Sequence, residues 1–316
     1  MNLKTTRFFN MICSLAVTFT AATGAVNANS VQTVPDPTGN NFIQLLGINN
    51  SGTIAGTDNN NPAQAFTLNL PAAYTTQNFP GSVSSMATGI NGNGDISGIY
   101  TDAAGNTHGF VKIAATFTTV DNPISSVFNQ ALGINNSDTT VGYYAPTQAG
   151  LTNQVAYSQS GGVFTDINHL LASNVNSQAV GINNAGNIVG FFQPTSTTSL
   201  GFLDVGGSIS TLDPFGSTFT QALGINSQGE VVGLYTDAGG VQHGYIDNNG
   251  SFSSFDPNGS TSTTINGVND KGQIVGFYTD ANANTIGFVG TVPEPGSVAL
   301  LAAGWLGLSI RRQKLC

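Results

Sequence analysis

Apolar and polar positions along this chain repeat on a period of roughly 43 residues. Each period opens on a short apolar run that ends in Gly-Ile-Asn or Gly-Val-Asn: Gly47-Ile48-Asn49, Gly89-Ile90-Asn91, Gly133-Ile134-Asn135, Gly181-Ile182-Asn183, Gly224-Ile225-Asn226 and Gly267-Val268-Asn269. A second glycine follows nine positions after the first, at Gly56, Gly98, Gly142, Gly190, Gly233 and Gly276. Between the two lies a turn whose sixth residue is Gly52, Gly94, Asp138, Gly186, Gly229 or Gly272. Glycine, and to a lesser degree Asp, reaches positive φ at low cost, so this position predicts a left-handed turn residue. Apolar pairs such as Ile188-Val189 and Val231-Val232 follow it, and the whole reads as a β-hairpin.

Two more strands complete the period. The second strand ends on an aromatic (Tyr100, Tyr144, Phe192, Tyr235, Tyr278), with Asp58 the exception in the first copy. A polar turn containing Asp and Gly leads to a third strand marked by a small residue and then an aromatic ring, as in Ala65-Phe66, Gly109-Phe110 and Gly244-Tyr245. The fourth alternates Thr or Ser with apolar residues, as in Phe117-Thr118-Thr119-Val120-Asp121. Four strands in a unit of this length predict one blade of a β-propeller. The sixth copy stops after its third strand, at Ile286 to Val289, and the missing fourth strand precedes the first copy, as Val31 to Pro37. A ring has use for that balance, because the N-terminal strand can complete the last blade and remove an exposed edge. The predicted fold is therefore all-β, a six-bladed β-propeller of four-stranded blades closed by the N-terminal strand, with a β-solenoid as the alternative. The repeat resembles the bacterial extracellular HAF repeat, and the copy from Gly224 to His243-Gly244-Tyr245 fits it well. The copy from Gly133, with Asp138 and Val155-Ala156-Tyr157, departs most.

The ends carry signals of a different kind. Lys4 and Arg7 precede an apolar stretch from Phe8 to Phe19, and small residues then place a cleavage site between Ala28 and Asn29. Cys13 lies in that stretch without a lipobox-like run before it, which argues against lipidation there. At the other end Val292-Pro293-Glu294-Pro295 leads into an uncharged run from Gly296 to Ile310 and then Arg311-Arg312-Gln313-Lys314. As a helix that run would rise about 22 Å, short of the roughly 30 Å hydrocarbon core unless the arginines snorkel and the bilayer thins. The basic cluster keeps its end cytoplasmic. This tail closely resembles the PEP-CTERM sorting signal of Gram-negative bacteria, with Val292, Pro293, Glu294, Pro295, Arg311 and Arg312 as the motif residues. The resemblance implies exosortase as processing partner, transient anchoring in the inner membrane, removal of the helix, and delivery to the cell surface or extracellular matrix. The chain thus divides into a signal peptide at 1–28, the six-repeat propeller at 29–290 and the sorting signal with its short transmembrane helix at 291–316.

Composition narrows the function. Between Asn29 and Pro295 two lysines, Lys112 and Lys271, face all sixteen acids of the chain. Binding a phosphate backbone needs clustered Lys and Arg, so nucleic acid is excluded as a partner. Both cysteines, Cys13 and Cys316, fall in segments expected to be removed, which leaves no disulfide. His108 and His243 share one slot of the repeat that Leu200 and Ile286 fill elsewhere, the mark of packing rather than catalysis. His169 stands outside the repeat beside Asp166 and Asn168, in the irregular stretch from Pro146 to Asn176. No Gly-x-Ser-x-Gly elbow occurs, no carboxylate pair stands apart from repeated turns, and no zinc ligand set exists. Glu230, beside a turn glycine, reads as solvated. Asp102, Asp237 and Asp280 recur in Tyr-Thr-Asp-Ala, and Asp121, Asp213 and Asp256 recur just ahead of a proline. Structural calcium is one reading of these oxygens, and turn capping is the other. No catalytic, cofactor or metal residue is assigned. The expected role is non-enzymatic binding or organisation of exopolysaccharide or other surface proteins, and the alternative is a lyase or hydrolase acting on carbohydrate at the mouth of the ring.

Overall fold

The computed structural model describes residues 31–58, 62–71, 73–147, 152–167, 175–217 and 219–292. Six four-stranded antiparallel sheets succeed one another along the chain. Blades 1 to 5 occupy 43–76, 84–120, 129–166, 176–212 and 220–255. Blade 6 joins 260–291 to the separate strand Gln32–Val34. The fold is the predicted six-bladed propeller, with the predicted closure. Gln32 lies opposite Val289, Thr33 opposite Phe288 and Val34 opposite Gly287.

Blade 2 shows how the repeat builds a sheet. From the axis outward its strands are Ser84–Ile90, Ile96–Thr101, Thr107–Ile113 and Thr116–Val120. The register slips between Ala87 and Gly89 on the innermost strand, and the same irregularity recurs before the motif glycine of every blade. Such a bulge bends the strand toward the axis and sharpens its twist. Across from it sits the second glycine. A Cβ on Gly98 would stand 2.3 Å from the Met86 carbonyl oxygen and 2.4 Å from the Phe110 ring. That ring is the third-strand aromatic, and its counterparts Phe66, Tyr157, Phe202, Tyr245 and Phe288 are likewise buried. Each fully buried ring contributes roughly 1.5–3 kcal/mol of transfer free energy. The small residue before it admits the neighbouring blade: a Cβ on Gly109 would reach the backbone nitrogen of Ala131, in blade 3, at 3.0 Å.

The core therefore lies between blades. At the junction of blades 6 and 1, Val34, Val275 and Val289 pack with Ile43 and Leu45 in one buried cluster. The turns joining first to second and third to fourth strands gather at one end of the ring, here called the Asn face. Those joining second to third strands, and the links between blades, form the opposite Asp face. The predicted left-handed turn residues belong to the Asn face, with φ from 57° at Asp138 to 88° at Gly94. The described residues hold no helix long and apolar enough to cross a membrane. Ala28, Asn29, Pro293, Glu294, Pro295, Arg311 and Arg312 lie outside the described residues, whereas Val292 lies within them.

Candidate functional site

The Asn of each Gly-Ile-Asn belongs to a closed circle of hydrogen bonds on the axis. Asn49 donates from Nδ2 to the backbone carbonyl of Asn91, which donates to Asn135 and so on through Asn183, Asn226 and Asn269 back to Asn49, at 3.0–3.2 Å. The other end of each amide closes its own turn. Asn91 Oδ1, for example, accepts the N–H groups of Asn93 and Asp95 at 2.9 Å. Just inside, the motif glycines nearly touch: a Cβ on Gly47 would stand 3.2 Å from the Gly89 Cα, and a Cβ on Gly224 3.0 Å from the Gly267 Cα. The channel they constrict has a cavity of about 160 Å³, lined by Leu46, Thr88, Leu132, Val180, Leu223 and Asn266 among others. Thr88 and Asn266 spend their polar atoms on carbonyls of neighbouring blades, Ala131 at 2.7 Å and Leu45 at 2.9 Å. Ligand pockets usually enclose some 300–1,000 Å³. The axis is thus a structural hub, its donors occupied by framework.

The Asp face is built differently. In blade 2, His108 lies between two carboxylates, with Nδ1 2.6 Å from Asp121 Oδ2 and Nε2 3.3 Å from Asp102 Oδ2. Blade 5 repeats the arrangement, with His243 2.7 Å from Asp256 and 3.3 Å from Asp237. A neutral imidazole has one N–H, so donation to two carboxylates calls for the cation. Burial opposes that charge, but the hydrogen bonds and attraction from Asp121 and Asp102 outweigh it and raise the His108 pKa above its ordinary value. The same balance, with Asp256 and Asp237, raises that of His243. Asp102 is pulled down to about 2 by the backbone and side chain of Asn106 first and by His108 after them. Desolvation pushes Asp121 up despite its histidine.

Aromatic rings complete both clusters. Tyr100 stacks on His108 at 4.9 Å and Tyr235 on His243 at 5.2 Å between centroids. Each tyrosine meets a further ring from the link to the preceding blade. Phe79 lies flat on Tyr100 at 3.9 Å. Phe215 stands 5.0 Å from Tyr235 at 48°, and the His243, Asp237 and Asp256 side chains are more exposed than their blade 2 counterparts, at 23, 41 and 32 % against 14, 32 and 24 %. Phe215 is 49 % exposed and has φ 60°, ψ 19° within the 3₁₀ turn Pro214–Gly216. A bulky residue in that region costs about 1–2 kcal/mol, and such strain collects at functional sites. Blades 2 and 5 stand opposite each other across the axis.

The sequence slot shared by His108 and His243 is confirmed by register: His108 faces Tyr100 and His243 faces Tyr235, as Leu200 faces Phe192 and Ile286 faces Tyr278. What the sequence reading missed is that both histidines carry paired carboxylates. The signal was present, since Tyr, Asp, His and Asp recur at identical separations in 100–121 and 235–256. The turn aspartates cap their own backbone, Asp280 Oδ1 accepting from Asn282 and Asn284 at 2.8 and 2.9 Å. Among the described residues no group of three His, Cys, Asp or Glu side chains is arranged to hold a metal. Glu230, expected to be solvated, instead accepts from Asn226 Nδ2 at 2.6 Å. His169 lies outside the described residues.

The chain carries a PEP-CTERM protein-sorting motif, matched at residues 291–313. No curated protein matches the chain. Among solved structures it is similar to a mutant of the Aleuria aurantia lectin in complex with Fucα1-6GlcNAc, at 10 % identity over 79 % of this chain and 96 % of that one, with a TM-score of 0.45. AofleA from Arthrobotrys oligospora is similar at 10 % identity, 82 % of each chain and a TM-score of 0.46. A gluconolactonase from Xanthomonas campestris is similar at 9 % identity, 83 % of this chain and 89 % of that one, with a TM-score of 0.45.

Proposed function

We propose that this protein is exported, sorted by an exosortase to the cell surface or matrix, and binds extracellular polysaccharide there without altering it, its blades being HAF-type extracellular repeats. The sorting motif supports the destination. The observation that carries the binding reading is Phe215, an exposed ring on strained backbone, held beside Tyr235 and the Asp237–His243–Asp256 group. A sugar offers an apolar C–H face to a ring and hydroxyls to charged acceptors and donors, and charge-assisted hydrogen bonds are the stronger kind. In blade 2 Phe79 lies flat on the tyrosine and the charged groups are less exposed, so blade 5 is the favoured site. Neutral Asn, Thr, Ser and Gln make up much of the remaining surface, suited to a hydrated, uncharged polymer. Solid-phase retention of the protein on the producer's exopolysaccharide tests this. Retention above a control propeller, with no new reducing ends after long incubation, is expected. Absence of retention overturns the binding reading, and released reducing ends favour the enzyme.

A further inference from the structure

Both ends of the described chain leave blade 6 on the Asn face. Thr291 lies opposite Gln273, at the start of its strand. The Val292 N–H donates to the carbonyl of Gly272, a turn residue of the Asn face, at 2.7 Å. Val31 and Val292 pack against the same buried cluster, beside the Gln32–Val289 pair. The sorting motif therefore begins inside the fold, level with the Asn ring. Only Pro293, Glu294 and Pro295 separate Val292 from the apolar run that starts at Gly296. Three residues span at most about 11 Å, too short a stalk to let a six-bladed ring turn over while the tail is held in a bilayer.

Charge divides the same way. Among the described residues the Asp face carries nine carboxylates, Asp36, Asp58 and Asp166 besides those at 102, 121, 213, 237, 256 and 280, set against His108 and His243 and neither of the two lysines. Turns of the Asn face set Asp138, Glu230 and Asp270, and the buried Asp95, Asp204 and Asp247, against the exposed Lys271. Lys112 is tied to Gln77, in the link that follows blade 1, at 2.5 Å. At the axis this face shows small polar turn residues, including Asn50, Asn136, Asn184 and Ser227. An anionic lipid surface repels carboxylates within a Debye length, so it repels the Asp face, with its nine acids, more strongly than the Asn face, where three of six acids are buried.

We infer that, while the tail remains attached, the Asn face rests on an anionic phospholipid surface and the clusters of blades 2 and 5 point away from it. This rests on the reading of the tail as a transient membrane anchor. The polymer site is thereby open before release, and removal of the tail frees a face that was covered. The test uses the full chain with Cys13→Ser and Cys316→Ser, reconstituted in mixed phosphatidylethanolamine and phosphatidylglycerol vesicles. A fluorophore is placed either at Ser137→Cys, on the Asn face of blade 3 across the ring from the tail, or at Ala103→Cys on the Asp face. Both positions are exposed turn residues. Quenching by headgroup spin-labelled lipid should be several-fold stronger at position 137 than at 103. Equal or reversed quenching in chains that float with the vesicles overturns the orientation alone. Chains that fail to float overturn the anchor reading and the orientation with it.

Discussion

Single side chains carry consequences that the repeat makes easy to compare. Asn183 holds three hydrogen bonds, donating to Asn226 at 3.0 Å and accepting from Ala185 and Asn187 at 3.0 Å. Asn183→Ala strands a buried carbonyl and two turn N–H groups, and should lower the unfolding free energy by about 2–4 kcal/mol in denaturant titration. The two buried tyrosines of the third strands differ in the opposite sense. Tyr157 donates to the Gln130 carbonyl at 3.0 Å, whereas the Tyr245 hydroxyl has no partner, and four sister blades place Phe there. Tyr157→Phe should cost about 1 kcal/mol while Tyr245→Phe is neutral or stabilising, read from paired thermal melts. Little of this was legible in the sequence. Gly-Ile-Asn stood out as a repeated string, but the reason for its Asn is a bond to the next blade some 43 residues away, and no local pattern encodes a partner at that distance.

At the scale of the element, strands and turns were legible because their causes are local: a period of two, glycines where φ is positive, and small residues before rings. The bulge opposite the second glycine was not, since it depends on which strands pair. The histidine turns lie between these cases, their spacing visible and their pairing not. They give the blades a pH dependence whose sign follows from the shifts. His108 and His243 hold their protons more tightly folded than unfolded, so their contribution is complete below the ordinary value of 6.5 and is lost as pH rises through the raised one. Asp102, Asp237 and Asp280 are lowered, mainly by hydrogen bonds within their turns. Their contribution is present above the ordinary 3.8 and is lost as pH falls through the lowered values. Asp121, raised by burial, partly offsets that loss in blade 2. Tm should peak between those two ordinary values and decline on either side. In the double variant His108→Leu, His243→Leu, which copies the residue of blade 4, the alkaline decline should flatten while the acid limb persists. A wild-type alkaline limb retained in that variant would place its cause elsewhere.

For the whole molecule, closure was legible from a count of strands, and the two faces were not, because they depend on how six copies are turned about one axis. The strand Gln32–Val34 covers the last blade's edge, with Val34 buried at its end. Val34→Asp places a charge in that seam and should lower stability by several kcal/mol, with hydrogen exchange rising first in blades 6 and 1. Uniform acceleration around the ring would argue against a local seam. The ring also sets the Asp-face clusters at the end opposite the start of the sorting motif. The most direct measurement is a binding isotherm of the full chain on its producer's exopolysaccharide, comparing wild type with Phe215→Ala. At least a tenfold loss of affinity is expected, about 1.4 kcal/mol, with Tm little changed because Ala keeps the Cβ that strains this left-handed position. Affinity equal to that of the wild type would contradict a binding site at Phe215.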